Sequence, residues 1–180
     1  MLSITRSYAR FATLTRRVLL TCILGGVAAV HAATDLPMVR VIATGGTIAG
    51  AQASAQDYGY KSGAYDVNTL IGAVPNLDKL AEITGEQVVN IGSQDMSDEV
   101  WLKLAKSVAA AQADADVDGI VIMHGTDTLE ETSYFLSLVT QGTKPVVMVG
   151  SMRPATATSA DGPGNIYNGV AVAISPEASG

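Results

Sequence analysis

Gly119-Ile120-Val121-Ile122-Met123, running directly into His124-Gly125-Thr126-Asp127-Thr128, holds the pattern that decides how this chain folds. Its unbroken apolar run includes three β-branched residues, and it is short for a helix. It suits a strand covered on both faces. The polar turn leads into Leu129, Tyr134, Leu136 and Leu138 at helical spacing, with Thr128 and Glu131 three apart as in a capping box. The same strand, turn, helix unit recurs along the chain. Met38-Val39-Arg40-Val41-Ile42-Ala43 ends in Thr44-Gly45-Gly46-Thr47, and Gln87-Val88-Val89-Asn90-Ile91 ends in Gly92-Ser93-Gln94-Asp95-Met96. Pro145-Val146-Val147-Met148-Val149 ends in Gly150-Ser151-Met152-Arg153-Pro154. A helix is expected after the cap Ser97-Asp98-Glu99, through Trp101, Leu102, Leu104, Ala105, Val108 and Ala109, and another from about Pro163 to Ile174. Alternating strands and helices predict an α/β fold with a parallel sheet and right-handed crossovers.

Ligands of open α/β sheets bind outside the carboxyl ends of the strands. Thr47, Ser93, Gln94, Thr126, Asp127 and Ser151 are therefore predicted to share one rim. Familiar site types are missing. Gly45-Gly46-Thr47-Ile48-Ala49-Gly50 has the wrong glycine spacing for a dinucleotide fingerprint, and neither a phosphate loop nor a serine elbow is present. A hydrolase built from these parts must activate a hydroxyl, the candidates being Thr44, Thr47, Thr126, Thr128, Ser93 and Ser151. Residues Gly50 to Tyr65, with Tyr58, Tyr60 and Tyr65, show no sustained period. So long a connection reads as a lid or binding loop, or else as a plain connector.

The amino terminus reads differently. Arg6, Arg10, Arg16 and Arg17 precede an apolar run from Val18 to Val30, and Val30-His31-Ala32 suits cleavage. A secretory signal over 1–32 is expected, the run being too short to span a bilayer. A membrane anchor is the alternative. Removing the signal takes away Cys22, the only cysteine, and four of 11 basic residues, while all 17 acidic ones remain. The mature net charge is then about −10, which disfavours nucleic acid and anionic lipid as partners. With one histidine left, His124, a histidine-rich metal site is excluded and no metal or cofactor is expected. The remaining domain, 33–180, is long enough to bury a core. It ends on a helix where a further strand would be expected, which reads as a truncation.

Ala43-Thr44-Gly45-Gly46-Thr47-Ile48-Ala49 and Met123-His124-Gly125-Thr126-Asp127-Thr128-Leu129 resemble the two signature segments of bacterial type II asparaginases. Residues 85–96, 144–154 and 159–163 match in the same order, so the resemblance covers nearly all of the mature chain. It implies a three-layer doubly wound parallel sheet, the amino-terminal domain of a periplasmic or secreted amidohydrolase that assembles as a homotetramer. The implied substrate is L-asparagine, with L-glutamine the second candidate. Thr47 matches the nucleophile that forms an acyl-enzyme, Tyr60 the lid tyrosine bonded to it, and Thr126 the second catalytic threonine. Ser93 and Gln94 match the groups holding the α-carboxylate and α-amino groups, and Asp127 the partner of the α-ammonium. The backbone at Ser151 matches the contact to the substrate's amide; many relatives carry alanine there, which a backbone contact survives.

The family's catalytic lysine and its smaller carboxyl-terminal domain have no counterpart here, so the chain alone is expected to be inactive or nearly so. An amino-acid-binding pseudoenzyme and an inactive fragment are the other readings. A deamidase of aminoacylated tRNA is disfavoured by the signal and the acidic surface. Taken singly, Thr47, Ser93 and Gln94 read as turn residues, Thr126 or Asp127 as helix caps, and Tyr60 as an exposed loop aromatic. His124 reads as a hydrogen-bonded structural residue, Trp101 as packing, and Arg153 as half of an ion pair.

Overall fold

A computed structural model describes residues 36–54, 57 and 59–178. The signal expected over 1–32, with Cys22, lies outside the described residues, as does Tyr58. Along the chain run β1 (Met38–Gly45), β2 (Ala51–Gln52), β3 (Tyr60–Lys61), α1 (Val67–Gly72), β4 (Glu82–Ile91), α2 (Asp98–Ala113), β5 (Gly119–Met123), α3 (Leu129–Val139), β6 (Val146–Val149) and α4 (Gly162–Ala173). Four of these strands make one parallel sheet in the order β4-β1-β5-β6. The expected strand–helix alternation is therefore what forms.

Side-chain alternation on the two central strands builds the layers. Val39, Val41, Ala43, Val121 and Met123 face one way and pack with Val67 and Leu70 of α1 and with Ile166, Val170 and Ala173 of α4. Ile42, Ile120 and Ile122 face the other way, against Leu104, Val108 and Ala111 of α2 and Leu136 of α3. Helices thus cover both faces of the sheet, giving the three-layer, doubly wound α/β architecture. The spacing 104, 108, 111 is one helical stripe, in which the fully buried Leu104 and Val108 each contribute about 1.5–3 kcal/mol. At the start of α2 the Ser97 side chain accepts from the Val100 N–H, and Asp98 and Glu99 occupy the first turn, the arrangement expected from the sequence.

Two expectations need correction. β4 starts five residues before Gln87 and is not covered on both faces; Val88 is its one buried residue. As an edge strand it carries Glu82, Thr84 and Glu86, so an apolar criterion misses its first half. The capping box at Thr128 does not form either. Thr128 precedes α3 without a side-chain cap bond, and its hydroxyl donates instead to the Ser93 carbonyl at 2.9 Å. The short helix α1, capped by Asp66 on the N–H groups of Asn68 and Thr69, was not expected. Six residues are too few to show a period.

Candidate active site

From β1 the chain passes through α1 to β4 on one side, and from β5 it passes through α3 to β6 on the other. The crevice between the carboxyl ends of β1 and β5 is therefore the topological switch point, where doubly wound sheets hold ligands. Two glycine turns meet there. Gly46 has φ 79°, a conformation that costs glycine nothing, and a Cβ on it would overlap the backbone of Gly125. Its N–H donates to the Ile91 carbonyl at 2.7 Å. Thr47 and Thr126, each the next residue after one of these touching glycines, consequently flank the crevice.

Thr47 opens a short 3-10 turn and is 8% exposed. Its Oγ1 lies 2.6 Å from the Tyr60 hydroxyl, a short contact in which either oxygen can donate. Tyr60 itself is 43% exposed. The segment read as aperiodic contains a small antiparallel hairpin, with Gln52 opposite Tyr60. Several bonds hold this hairpin down. The Gln52 N–H donates to Thr156 Oγ1 at 2.9 Å, the Ala155 N–H to the Gly50 carbonyl at 2.9 Å, and the Gly63 N–H to the Gly46 carbonyl at 3.1 Å.

Ser93 is buried. Its Oγ accepts from the Asp127 N–H at 3.1 Å, and a hydroxyl used in this way retains its own hydrogen for donation. With the Thr128 bond to the Ser93 carbonyl, this stitches the second turn to the third. Gln94 and Asp127 are exposed, and Thr126 is half-buried beside Gly150. Ser151 is buried and spends its hydroxyl on the Arg153 carbonyl at 2.8 Å. Of the other candidate hydroxyls, Thr44 donates to the Met123 carbonyl at 3.2 Å. It belongs to the sheet, as Thr128 belongs to the stitch.

Arg153 does not form the expected ion pair. Among the described residues its guanidinium donates to the Ser159 carbonyl at 3.4 Å, and the ion pairs are those of Arg40 with Glu86 and Asp114. Two residues given no role from the sequence anchor the fourth turn. Asp161 accepts from the Met152 N–H at 3.0 Å and the Arg153 N–H at 2.9 Å, while Asn165 donates to the Gly150 carbonyl at 2.8 Å. Partial burial raises the Asp161 carboxyl, but these N–H groups outweigh it and hold the group below its ordinary value. An aspartate just before an apolar helical stripe signals a cap; here it binds the preceding turn instead.

His124 is fully buried. Nδ1 lies 2.7 Å from the Gly125 carbonyl and Nε2 3.1 Å from Thr132 Oγ1. Burial pushes its pKa down, against smaller upward contributions from the Gly125 carbonyl and Glu131. It is a satisfied, neutral residue rather than a base facing the crevice. The Trp101 Nε1–H donates to Thr132 at 2.8 Å, so Trp101 does more than pack.

A family model described as "Asparaginase, N-terminal" matches residues 38–180. "Probable L-asparaginase periplasmic" of Haemophilus influenzae is 54% identical over 167 residues, which are 93% of this chain and 47% of that protein. "Glutaminase-asparaginase" of Pseudomonas fluorescens biotype A is 52% identical, over 84% of this chain and 42% of that protein. The crystal structure of a probable cytoplasmic L-asparaginase from Campylobacter jejuni superposes with a TM-score of 0.76 at 52% identity, covering 79% of this chain and 44% of that one. The chain thus spans less than half the length of these relatives.

Proposed function

Since the chain belongs to the asparaginase family, we propose that it carries the nucleophile side of an amidohydrolase that converts L-asparagine to L-aspartate and ammonia, with L-glutamine as a second substrate. The observation that carries this reading is the 2.6 Å contact between Thr47 Oγ1 and the Tyr60 hydroxyl, made at the mouth of the switch point. A threonine hydroxyl is a weak nucleophile, and a short bond to a second hydroxyl gives its proton somewhere to go as the oxygen attacks. Thr47 Oγ1 forms a bond to the side-chain amide carbon, and the C–N bond breaks. Ammonia leaves with the proton that the threonine gave up. Water then hydrolyses the ester, returning the proton to Thr47 and releasing the acid. Thr126 lies across the crevice, beside the amide and the attacking water.

A zwitterionic amino acid needs an anion at its ammonium and donors at its carboxylate. Asp127 supplies the first. The Ser93 hydroxyl hydrogen supplies one of the second, with Gln94 beside it at the open rim. The fourth turn, held by Asp161 and Asn165, offers the backbone at Ser151 to the substrate's amide. One added methylene changes binding by only about 1–3 kcal/mol, which suits a site shared by asparagine and glutamine; names of both kinds occur among the relatives.

Residues 1–32 are proposed as a cleaved secretory signal and 33–180 as the amino-terminal catalytic domain of a homotetrameric periplasmic or secreted enzyme. In support, the alignment with the relative named periplasmic covers 93% of this chain and so reaches into the first 32 residues. The functional test is ammonia release from L-asparagine alongside L-aspartate binding, by this chain completed with the carboxyl-terminal domain of a relative, with Thr47→Ala as the control. Release that Thr47→Ala abolishes supports the reading. Binding without release in that completed enzyme indicates an amino-acid-binding pseudoenzyme, and the absence of both overturns the reading.

A further inference from the structure

We propose that Trp101, Thr132 and His124 form a buried positioning relay that sets the plane of the Gly125–Thr126 peptide, and through it the aim of Thr126. That consequence for Thr126 rests on the reading of it as a site residue. The relay itself rests on hydrogen-bond directions that leave no choice. The Gly125 carbonyl can only accept, so His124 Nδ1 carries the proton at 2.7 Å. In a neutral ring Nε2 is then a bare lone pair, and the Thr132 hydroxyl, 3.1 Å away, must donate to it. The indole N–H of Trp101 can only donate, and it does so to Thr132 at 2.8 Å. All three bonds point the same way, from α2 through α3 to the turn after β5.

The turn has need of such an anchor. Gly125 cannot carry a side chain, because a Cβ there would overlap Ser93. A glycine peptide is the softest kind of backbone rotor, so its orientation must be imposed from outside. The peptide is trans, hence a carbonyl held on His124 turns the Thr126 N–H to the opposite side. Its neighbours on the rim have comparable anchors, Gly46 through its N–H on Ile91 and the fourth turn through Asp161. His124 and Thr132 are both 0% exposed, so water cannot replace a lost member of the chain. Removing the Thr132 hydroxyl leaves Nε2 and the indole N–H unsatisfied together.

Thr132→Val keeps the shape and deletes the hydroxyl, Thr132→Ser keeps the hydroxyl, and Trp101→Phe removes only the first donor while retaining a ring to stack on Phe135. Three readouts are taken on the purified protein: imidazole nitrogen shifts of His124, amide hydrogen exchange without ligand, and L-aspartate affinity by calorimetry. The expected result is the Nδ1–H tautomer in the parent. In Thr132→Val, exchange at residues 125–127 is faster by about tenfold while the core strands keep their protection. L-Aspartate binding weakens by a similar factor, Thr132→Ser restores both, and Trp101→Phe gives a smaller change in the same direction. An Nε2–H tautomer, or unchanged exchange at 125–127 in Thr132→Val, overturns the relay. If the exchange pattern is as expected but the parent binds no L-aspartate, the relay stands and the functional reading falls.

Discussion

The two threonine turns of the crevice are held from opposite sides. Thr47 is held from outside, by a tyrosine that is 43% exposed on a strand of two residues. The Thr126 turn is held from inside, by three side chains of the core and its edge. Water competes for the first arrangement and cannot reach the second. Tyr60 is thus the solvent-facing partner in its contact with Thr47. The anchors of the peptide before Thr126, His124 and Thr132, are both 0% exposed. The contrast separates a solvent-facing half of the site from a buried, preset half.

The largest effect should come from the nucleophile. In the enzyme completed by the carboxyl-terminal domain of a relative, Thr47→Ala is expected to lower ammonia release by about three orders of magnitude or more with the unfolding midpoint nearly unchanged; substantial residual turnover would move the nucleophile elsewhere. Next comes the contact that joins the halves. Gly46→Ala forces a positive φ on a residue with a Cβ and drives that Cβ into Gly125. A loss of about 3 kcal/mol in denaturant unfolding is expected, and a much smaller loss would mean that the turns can part without penalty.

Tyr60→Phe tests the solvent-facing half alone. In the completed enzyme it should lower kcat by about ten- to a hundredfold, leave stability within about 0.5 kcal/mol, and shift L-aspartate affinity little. A stability loss as large as that of Gly46→Ala would mean that the hairpin is part of the core. The preset half responds to pH instead. Burial lowers the pKa of His124 below the ordinary 6.5, so below that value the unfolded chain takes up a proton that the folded chain refuses. The stabilisation from neutral His124 is complete above pH 6.5 and is lost as pH falls through 6.5 towards the folded value. The slope is at most about 1.4 kcal/mol per pH unit. Unfolding midpoints at about pH 7.5 and about pH 5.5, with the His124 imidazole followed by NMR, would check it. An imidazole that protonates in the folded protein at its ordinary pKa would contradict the buried-neutral assignment.

Much of this was legible in the chain itself. β5 is as expected from Gly119-Ile120-Val121-Ile122-Met123, because a strand in the middle of a sheet is apolar on both faces. The cap at Ser97 was readable for a similar reason, since it involves residues three apart. The first half of β4 was not, because an edge strand exposes polar side chains. The role of Asp161 was missed because its partners are eight and nine residues back, outside its own helix.

Local pattern therefore determined the cores of the four sheet strands and the helices α2, α3 and α4, that the strands are parallel, and which polar turns lie at their carboxyl ends. Tertiary structure alone decided the order β4-β1-β5-β6, and with it that the crevice opens between Thr47 and Thr126 rather than between two other turns. It likewise decided that Thr128 bonds to Ser93, 35 residues away, instead of capping its own helix, and that the Trp101 indole bonds to Thr132, 31 residues away. The physical reason is range. Periodicity and capping act within a few residues, where sequence spacing is distance, whereas strand order and the partner of a buried hydroxyl depend on which distant segments packing brings together.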